Sequence, residues 1–513
     1  MSEPVQAPIA ALVLGLGVSG LGMARWCTAA GMRVTVADTR PNPPQLAQLR
    51  EGLPSVQFVC APLEPELLQS SAARLVLKSP GIAPQSIAGL CASAAASGLA
   101  VAGELALFCG ALEQLRLTQN YQPMVLAITG TNGKTTVTAL TGLLVARAGK
   151  TVAVAGNIGP TLLDTLAEKI ARAALPQVWV LELSSFQLAD AVSSMGCGGL
   201  LAPLEPTAGC VLNLSQDHLD WHGSMSAYCQ AKARVFGSRG HLVLNRDDAQ
   251  VMAMLPAVVR RPVRTSTGFG SGMPQRPGDF GIDESNGMAW LVRALQTDPT
   301  DRPRRGQEAA PLVLQRLLPA EALRIHGRHN ASNALAALAL ACAAGCELAP
   351  MLYGLREYRG EPHRVESIAI VDDVEYFDDS KGTNVGATVA AITGLGGQRK
   401  LVLILGGDGK GQDFGPLAQP VTRHARAVLL IGRDAPLLRQ ALQHCGVPLA
   451  CATSMEDAVA RARALARAGD AVLLSPACAS LDMFDNYVHR ARVFCDAVAA
   501  LGHDSNTVLE ARV

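Results

Sequence analysis

An apolar run, Met124 to Ile128, leads into GTNGKTT, Gly130 to Thr136, and from there into a helical pattern. A strand that turns through glycines into a helix commits this part of the chain to a βα unit. It leaves unpaired N–H groups and the positive end of the helix dipole facing outward, a cradle for phosphate oxygens. Lys134 is placed to reach the outer phosphates of a nucleoside triphosphate, and Thr135 to offer its hydroxyl to Mg²⁺. GxxGKT replaces the usual GxxxxGKT, yet counting back to Ala127 keeps strand, glycine, lysine and threonine in working order. A glycine turn that merely starts a helix is the competing reading, and the strand-loop-helix context weighs against it.

Short β-branched and leucine-rich runs alternate with Ala-rich helical stretches along most of the 513 residues, the pattern of βα units and a parallel sheet, so the fold class is α/β. Strands are expected at Ala10–Leu14, Val34–Ala37, Leu75–Leu77, Val125–Ile128, Val152–Ala155, Val178–Leu183, Cys210–Leu212, Leu242–Leu244, Leu401–Leu405, Val428–Ile431 and Val472–Leu474. They fall into three groups, divided by the polar stretch Arg116–Gln122 and by Arg359–Pro362. Two segments, Ser193–Ala208 and Gly268–Gln307, stand apart. The second, rich in Gly, Pro and Arg with little periodicity, reads as a mobile surface loop, and its Arg302, Arg304 and Arg305 as a solvated face.

A formal charge of +1 gives no basic field for nucleic acid or an acidic membrane surface. The thirteen cysteines lack paired CxxC spacing, and the start, MSEPVQAP, lacks the pattern of a secretory leader. They are expected to be buried thiols in a reducing cytoplasm, with Cys210 and Cys478 in the core. The most apolar helical stretch, Ala331–Ala344, is too short to span a bilayer.

Motifs close strands in each third. GLGVSG, Gly15 to Gly20, followed by Asp38 at the next strand end, is a dinucleotide fingerprint with an acidic residue placed for a ribose hydroxyl. It serves NAD or any other nucleotide diphosphate, and SPGIA, Ser79 to Ala83, is a candidate facing lip or an ordinary turn. Asn157, Glu182 and His218 lie at strand ends in the middle third, where a carboxylate and a histidine can hold Mg²⁺. Lys232, on a helix, reads from its neighbours as a solvated charge. The last third carries His363–Arg364, DDSKGTN (Asp378–Asn384), GGDGK (Gly406–Lys410) and SPACASLDMF (Ser475–Phe484), with Lys381 and Lys410 suited to carboxylate substrates.

In order, GTNGKTT, LELSSFQL, DHLDWH, GRHNASNALAAL, DDSKGTN, GGDGK and SPACASLD resemble the Mur ligases of peptidoglycan synthesis over nearly the whole chain. GLGVSG, DTR, LELSSFQ and SPACASLD most resemble the branch of that family that adds D-glutamate. The resemblance implies three domains: a Rossmann-like UDP-substrate domain at 1–118, a central P-loop-type ATPase domain with a parallel sheet at 119–360, and a Rossmann-like amino-acid domain at 361–513. It also implies an ATP-driven amide synthesis through an acyl phosphate, with UDP-N-acetylmuramoyl-L-alanine and D-glutamate as substrates, two Mg²⁺ ions, and a cytoplasmic monomer without nucleic-acid partners or a membrane span.

By the same resemblance Gly130, Thr131, Asn132, Gly133, Lys134, Thr135 and Thr136 form the ATP loop, and Asn333, Arg364 and Asp379 hold the rest of ATP. Thr135, Glu182, His218 and Lys232 become the metal-side residues, Lys232 as a carbamate, with Asn157 beside the acyl phosphate. Val18, Ser19, Asp38, Thr39, Arg40, Ser79 and Gly81 face UDP, which displaces NAD. Lys381, Thr383, Lys410, Ser480, Leu481 and Tyr487 surround D-glutamate. Tyr487 departs from the family's Phe by a hydroxyl. The two segments set apart above look longer than the family requires, and Ser193–Ala208 is positioned to move over substrate. A sister ligase or folylpolyglutamate synthase would differ in the acceptor, a binding-only protein would release no phosphate, and a dehydrogenase would change nicotinamide absorbance.

Overall fold

The computed structural model describes residues 8–255, 264–297, 312–325, 327–397 and 399–504. Strands β1 (Ala10–Leu14), β2 (Arg33–Asp38), β3 (Gln57–Cys60), β4 (Leu75–Lys78) and β5 (Val101–Ala102) form a parallel sheet in the order β3-β2-β1-β4-β5. β6 (Met124–Thr129), β7 (Val152–Gly156), β8 (Val178–Glu182), β9 (Ala208–Val211), β10 (His241–Asn245) and β11 (Ser266–Phe269) form a second, in the order β11-β10-β9-β6-β8-β7, again parallel. β12 (Phe280–Ser285), β13 (Met288–Gln296) and β14 (Leu312–Pro319) make a small antiparallel sheet. The last sheet holds β15 (Glu366–Val371), β16 (Val374–Asp378), β17 (Leu401–Gly406), β18 (Ala425–Ile431), β19 (Leu449–Cys451) and β20 (Ala471–Leu474), ordered β15-β16-β20-β17-β18-β19. Only its β15–β16 hairpin is antiparallel.

The central strands are apolar but for the charged residues that end β4 and β8, because both faces are covered: β1, β4, β8, β17 and β20 are buried at every position. Each parallel sheet reverses strand order beside one strand, and there the outgoing loops part to leave a crevice. The reversals fall between β1 and β4, around β6, and between β17 and β20. They put Gly15–Gly20 opposite Ser79, the phosphate loop at the centre of the second sheet, and GGDGK beside SPACASLD. The Ala-rich helix Arg328–Ala343 packs closely on the helix Lys134–Arg147 that leaves the phosphate loop, with Ala334 to Ala341 all buried.

Every expected strand is present, within a residue or two at its ends except β18, which starts three residues early. The first polar divider is helical to Gln119 and breaks at Asn120, whose φ is 53°. The expected loop at Gly268–Gln307 is corrected: it carries β12 and β13, with Phe280 and Ile282 buried in one core cluster with Leu291. The signal was Asn286–Gly287, a two-residue turn with φ of 54° and 75° that joins two strands at their natural twist. Arg302, Arg304 and Arg305 lie outside the described residues. Cys210 and Cys478 are buried and every described cysteine is a free thiol, but Cys60 and Cys451 are exposed.

Ser193–Ala208 also differs from a loop poised over substrate. It folds back on itself through the bridge Gly196–Leu201 and lies on the helix Glu104–Gln119, where Ala202 N–H donates to the Ala106 carbonyl at 3.1 Å. Gly110 permits this approach, since a Cβ there would stand 2.1 Å from the Leu200 carbonyl oxygen. Gly110→Ala is expected to lower stability by ~1–3 kcal/mol, the range for forced overpacking, as read by urea unfolding.

Candidate active site

The phosphate loop has the conformation its glycines allow. Gly133, just before the helix, has φ 81°, and a Cβ there would meet the Asn333 side chain at 2.8 Å, so Asn333 closes directly over the loop. Asn132 is fastened on two sides. Its N–H donates to Asn213 Oδ1 at 2.8 Å, and its side-chain amide exchanges bonds of 3.2 and 2.9 Å with Asn384. The Thr131 hydroxyl lies 3.0 Å from the Tyr228 hydroxyl and accepts from Ser215 N–H. Lys134 Nζ donates to the carbonyls of Gly130 and Thr131 at 3.0 and 2.9 Å.

Lys232 is 1% exposed, which corrects its reading as a solvated charge. Its Nζ donates to Gly130 O at 2.7 Å and to Thr129 Oγ1 at 3.2 Å, and lies 4.7 Å from the centre of the Tyr228 ring. Burial, and next the neighbouring Lys134 charge, hold its pKa well below the usual lysine value. Burial lowers that of Lys134 as well. Tyr228 escaped the sequence reading, although four residues before Lys232 on one helix puts it on the same face.

Glu182 ends β8 and is 2% exposed. Asn157 Nδ2 donates to its Oε1 at 3.0 Å, while its Oε2 is buried without a hydrogen-bond partner. A buried carboxylate oxygen left bare is costly unless a cation meets it, so the donor set fits a hard metal ion. His218 has φ 53°, and its Nε2 stands 3.5 Å from Asp217. Its pKa is lowered by burial first, with Lys134, Lys410 and Lys232 adding to the effect.

The last sheet meets this site. Arg364 Nη2 donates to the hydroxyl of Thr135 at 2.6 Å. A cavity of about 330 Å³ between the phosphate loop and the helix Val385–Gly396 is lined by Asn132, Gly133, Thr136, Asn333, Arg364, Asp379 and Lys381 among others. Asp379 accepts from Ser475 Oγ at 2.6 Å, and burial pushes its carboxyl up to about 7. Lys381 Nζ lies 3.8 Å from the centre of the Tyr487 ring. Asp408 pairs with Ala479 as a β-bridge, tying the Lys410 loop to the Ser480 loop. Thr383 follows Lys381 with its carbonyl toward Gln412; Ser480 is buried, and Leu481 is 69% exposed. His363, Glu366 and Asp378 bring ligand atoms within 4.8 Å, but the Asp378 oxygens accept from His363 and Ser380, so the group is a hydrogen-bonded dyad. Asn384 and Arg490 also escaped the sequence reading. Arg490 is wholly buried and donates to the carbonyls of Ser380 and Cys478. Asn384 lay unremarked inside DDSKGTN, and Arg490 shows no local pattern.

A separate cavity of about 460 Å³ on the first sheet is lined by Val18, Ser19, Asp38, Thr39, Arg40, Ser79 and Gly81. Asp38 is turned from its expected ribose role. Its two oxygens accept from Arg40 Nε and Nη2 at 2.9 and 2.8 Å, and from the N–H groups of Leu16 and Arg40 at 2.7 and 2.9 Å. The Arg40 bonds above all lower its carboxyl to about 2. Asp38 therefore holds Arg40, which is 54% exposed, at the cavity mouth.

A triphosphate loop, a bare carboxylate and converging lysines from two sheets define a nucleotide-dependent enzyme for anionic substrates. Family models match as the Mur ligase MurD-like N-terminal domain (residues 10–103), the Mur ligase middle domain (128–276) and the Mur ligase glutamate ligase domain (363–478). The UDP-N-acetylmuramoylalanine--D-glutamate ligase of Albidiferax ferrireducens is 62% identical over 504 residues, 97% of each chain. That of Burkholderia pseudomallei is 56% identical over 508 residues, 97% of this chain and 98% of the other. Among solved structures, the MurF ligase of Thermotoga maritima in complex with ADP has a TM-score of 0.56 at 15% identity, covering 98% of this chain and 97% of that one. The UDP-N-acetylmuramate-alanine ligase MurC of Thermotoga maritima has 0.54 at 17%, covering 96% and 99%. These two likenesses are of fold. The chain belongs to the Mur ligase family. It is an ATP-dependent ligase of peptidoglycan-precursor synthesis acting on small molecules, and no helix among the described residues is long and apolar enough to cross a membrane.

The raised Asp379 carboxyl carries a sign. The folded state holds its proton more tightly than the unfolded state between about pH 4 and about 7, so this group's contribution is present below that window and lost as pH rises through it. Asp379→Asn is therefore expected to gain stability relative to the unsubstituted chain from pH 4 to pH 7, by on the order of 3 kcal/mol, measured by urea unfolding across that range.

Proposed function

We propose that the enzyme joins D-glutamate to the L-alanyl carboxylate of UDP-N-acetylmuramoyl-L-alanine through an acyl phosphate, with the formation of ADP. The observation that carries this is the convergence of Lys134, Lys232, Glu182 and His218 around one loop, met by Arg364, Lys381 and Lys410 from the last sheet. The relatives' printed name supports the choice of amino acid.

A carboxylate repels an amine and has no good leaving group. Transfer of the γ-phosphoryl group to a carboxylate oxygen supplies one; the amine then adds to the carbonyl carbon, and the tetrahedral species expels phosphate. Bringing an anionic acceptor up to a polyphosphate demands fixed positive charge, so catalysis is positioning and electrostatic stabilisation. The loop Gly130–Thr136 and Lys134 hold the phosphates, Asn333, Arg364 and Asp379 the rest of ATP. Asn157 orients Glu182. Thr135, Glu182, His218 and Lys232 would hold Mg²⁺, two ions in this reading, which would supply neutralisation of the phosphate charge. The suppressed ammonium of Lys232 favours the neutral amine that adds to CO₂ with loss of a proton, turning a cation into an anionic oxygen ligand.

Lys381, Thr383, Lys410, Ser480, Leu481 and Tyr487 take D-glutamate, and Val18, Ser19, Asp38, Thr39, Arg40, Ser79 and Gly81 the UDP moiety. The units are 1–118, 119–360 and 361–513. The reading also makes the enzyme a cytoplasmic monomer, since its nucleotide substrates belong to that compartment and each site lies within one chain.

Phosphate release with Mg²⁺, ATP and UDP-N-acetylmuramoyl-L-alanine tests it. Release with D-glutamate, but not with L-glutamate, L-lysine or diaminopimelate, is expected; release with another amino acid would move the chain to a sister activity. Lys232→Ala is expected to lower kcat by on the order of 10²-fold while ATP binding, followed by calorimetry, is largely kept. Undiminished turnover would remove Lys232 from the metal site.

A further inference from the structure

The lip of the first cavity, Ser79 to Ile82, is bonded to the first sheet through Ser79, whose N–H donates to the Leu14 carbonyl at 2.9 Å and whose hydroxyl donates to the Gly15 carbonyl at 2.8 Å. A second cavity of about 810 Å³ opens on its far side, walled by Lys78, Pro84, Ile87, Cys91 and Asp190 among others. Side-chain contacts also tie this segment to elements of the central domain. Lys78, 4% exposed at the end of β4, donates from Nζ to the Ile82 carbonyl at 2.9 Å, which draws the lip into a closed turn. The same ammonium lies 2.8 Å from Asp190 Oδ2, an ion pair not aligned as a hydrogen bond, and 5.3 Å from the centre of the Trp221 ring. At the far end of the segment Gln85 Nε2 donates to the Trp221 carbonyl at 3.2 Å. Gly103 allows the approach, because a Cβ there would lie 3.2 Å from Asp190 Cβ.

The partners of the lip are not arbitrary. Asp190 immediately follows the helix Ser185–Ala189, which leaves the strand ended by Glu182, and Trp221 lies in the short helix that begins after His218. Two of the four metal-side residues, Glu182 and His218, are thus followed by elements that the segment lining the first cavity grips. A substrate held at one end by that cavity and at the other by the phosphate loop binds well only if the spacing between them is set in advance, and errors of about 1 Å in such spacing are expensive.

We propose that Lys78 is a positioning residue: with Asp190, Trp221 and Gln85 it clamps the cavity lip to the Glu182 and His218 elements and so sets the distance between the UDP end and the reacting end of the substrate. This rests on the proposed assignment of the first cavity to the UDP moiety. Lys78 touches neither reacting group, so its loss acts on binding of one substrate and leaves the others alone.

The test uses the full chain, with Lys78→Met, Lys78→Arg and the double variant Lys78→Met/Asp190→Leu. The double variant removes both charges together, which in buried pairs is commonly neutral for folding, whereas Lys78→Met alone strands a buried carboxylate. Both Met variants are expected to raise KM for UDP-N-acetylmuramoyl-L-alanine about tenfold, the worth of one hydrogen bond from a charged donor, with KM for ATP and for D-glutamate within about twofold. Lys78→Arg is expected to recover most of the loss. An unchanged KM in the double variant, or an equal rise for all three substrates, overturns the clamp. Calorimetry with UDP alone separates the two claims: no binding by the unsubstituted chain removes the cavity assignment and the clamp with it. UDP binding equally tight in the unsubstituted chain and the variants, beside the raised KM for the full substrate, supports both, and UDP binding weakened in the variants as much as that KM overturns the spacing role.

Discussion

Two lysines, one buried and one half-buried, end on one carbonyl oxygen. Lys134, from the helix that leaves the phosphate loop, and Lys232, from a helix that follows β9, both donate to Gly130 O, at 3.0 and 2.7 Å. Their charges oppose each other, and burial opposes both. Such a pair is tolerable because the carbonyl, Thr129 and Glu182 supply partial compensation, and because the site is built to receive phosphate.

The other sheets are arranged around that pair. The reciprocal amide bonds of Asn132 and Asn384, and the Arg364 bond to Thr135, tie the last sheet to the loop on both sides of the cleft. Through them Lys381 and Lys410 enter the electrostatic field felt by Lys134 and His218. The first sheet lies further away, with Asp38 spending both oxygens on Arg40 and the backbone and so holding Arg40 at the mouth of the cavity faced by the lip. Positive charge thus arrives from every side while the acidic groups orient it.

Much of this was legible because parallel strands announce themselves as continuous apolar runs and end in short polar motifs. The phosphate loop, Glu182 and the GGDGK and SPACASLD loops were located from that pattern. Lys232 was not: a lysine on an amphipathic helix looks the same whether solvated or buried, and only the tertiary contact with Gly130 O decides. Asp38 stands at the strand end where the fingerprint puts it, and its bonds to Arg40, two positions on, are not announced by the pattern. The antiparallel strands β12 and β13 were hidden by flanking Gly and Pro, although Asn286–Gly287 marked their turn. Arg490 was beyond reach, because its partners are backbone carbonyls distant in sequence.

The central claim is that the lysine-lined loop transfers a phosphoryl group to a carboxylate before the amide forms. It is tested most directly with UDP-N-acetylmuramoyl-L-alanine carrying ¹⁸O in its alanyl carboxylate, followed by mass analysis of the released phosphate. Appearance of the carboxylate's label in phosphate, one atom per turnover, is the predicted result. Phosphate free of label, with amide formed, would contradict the account.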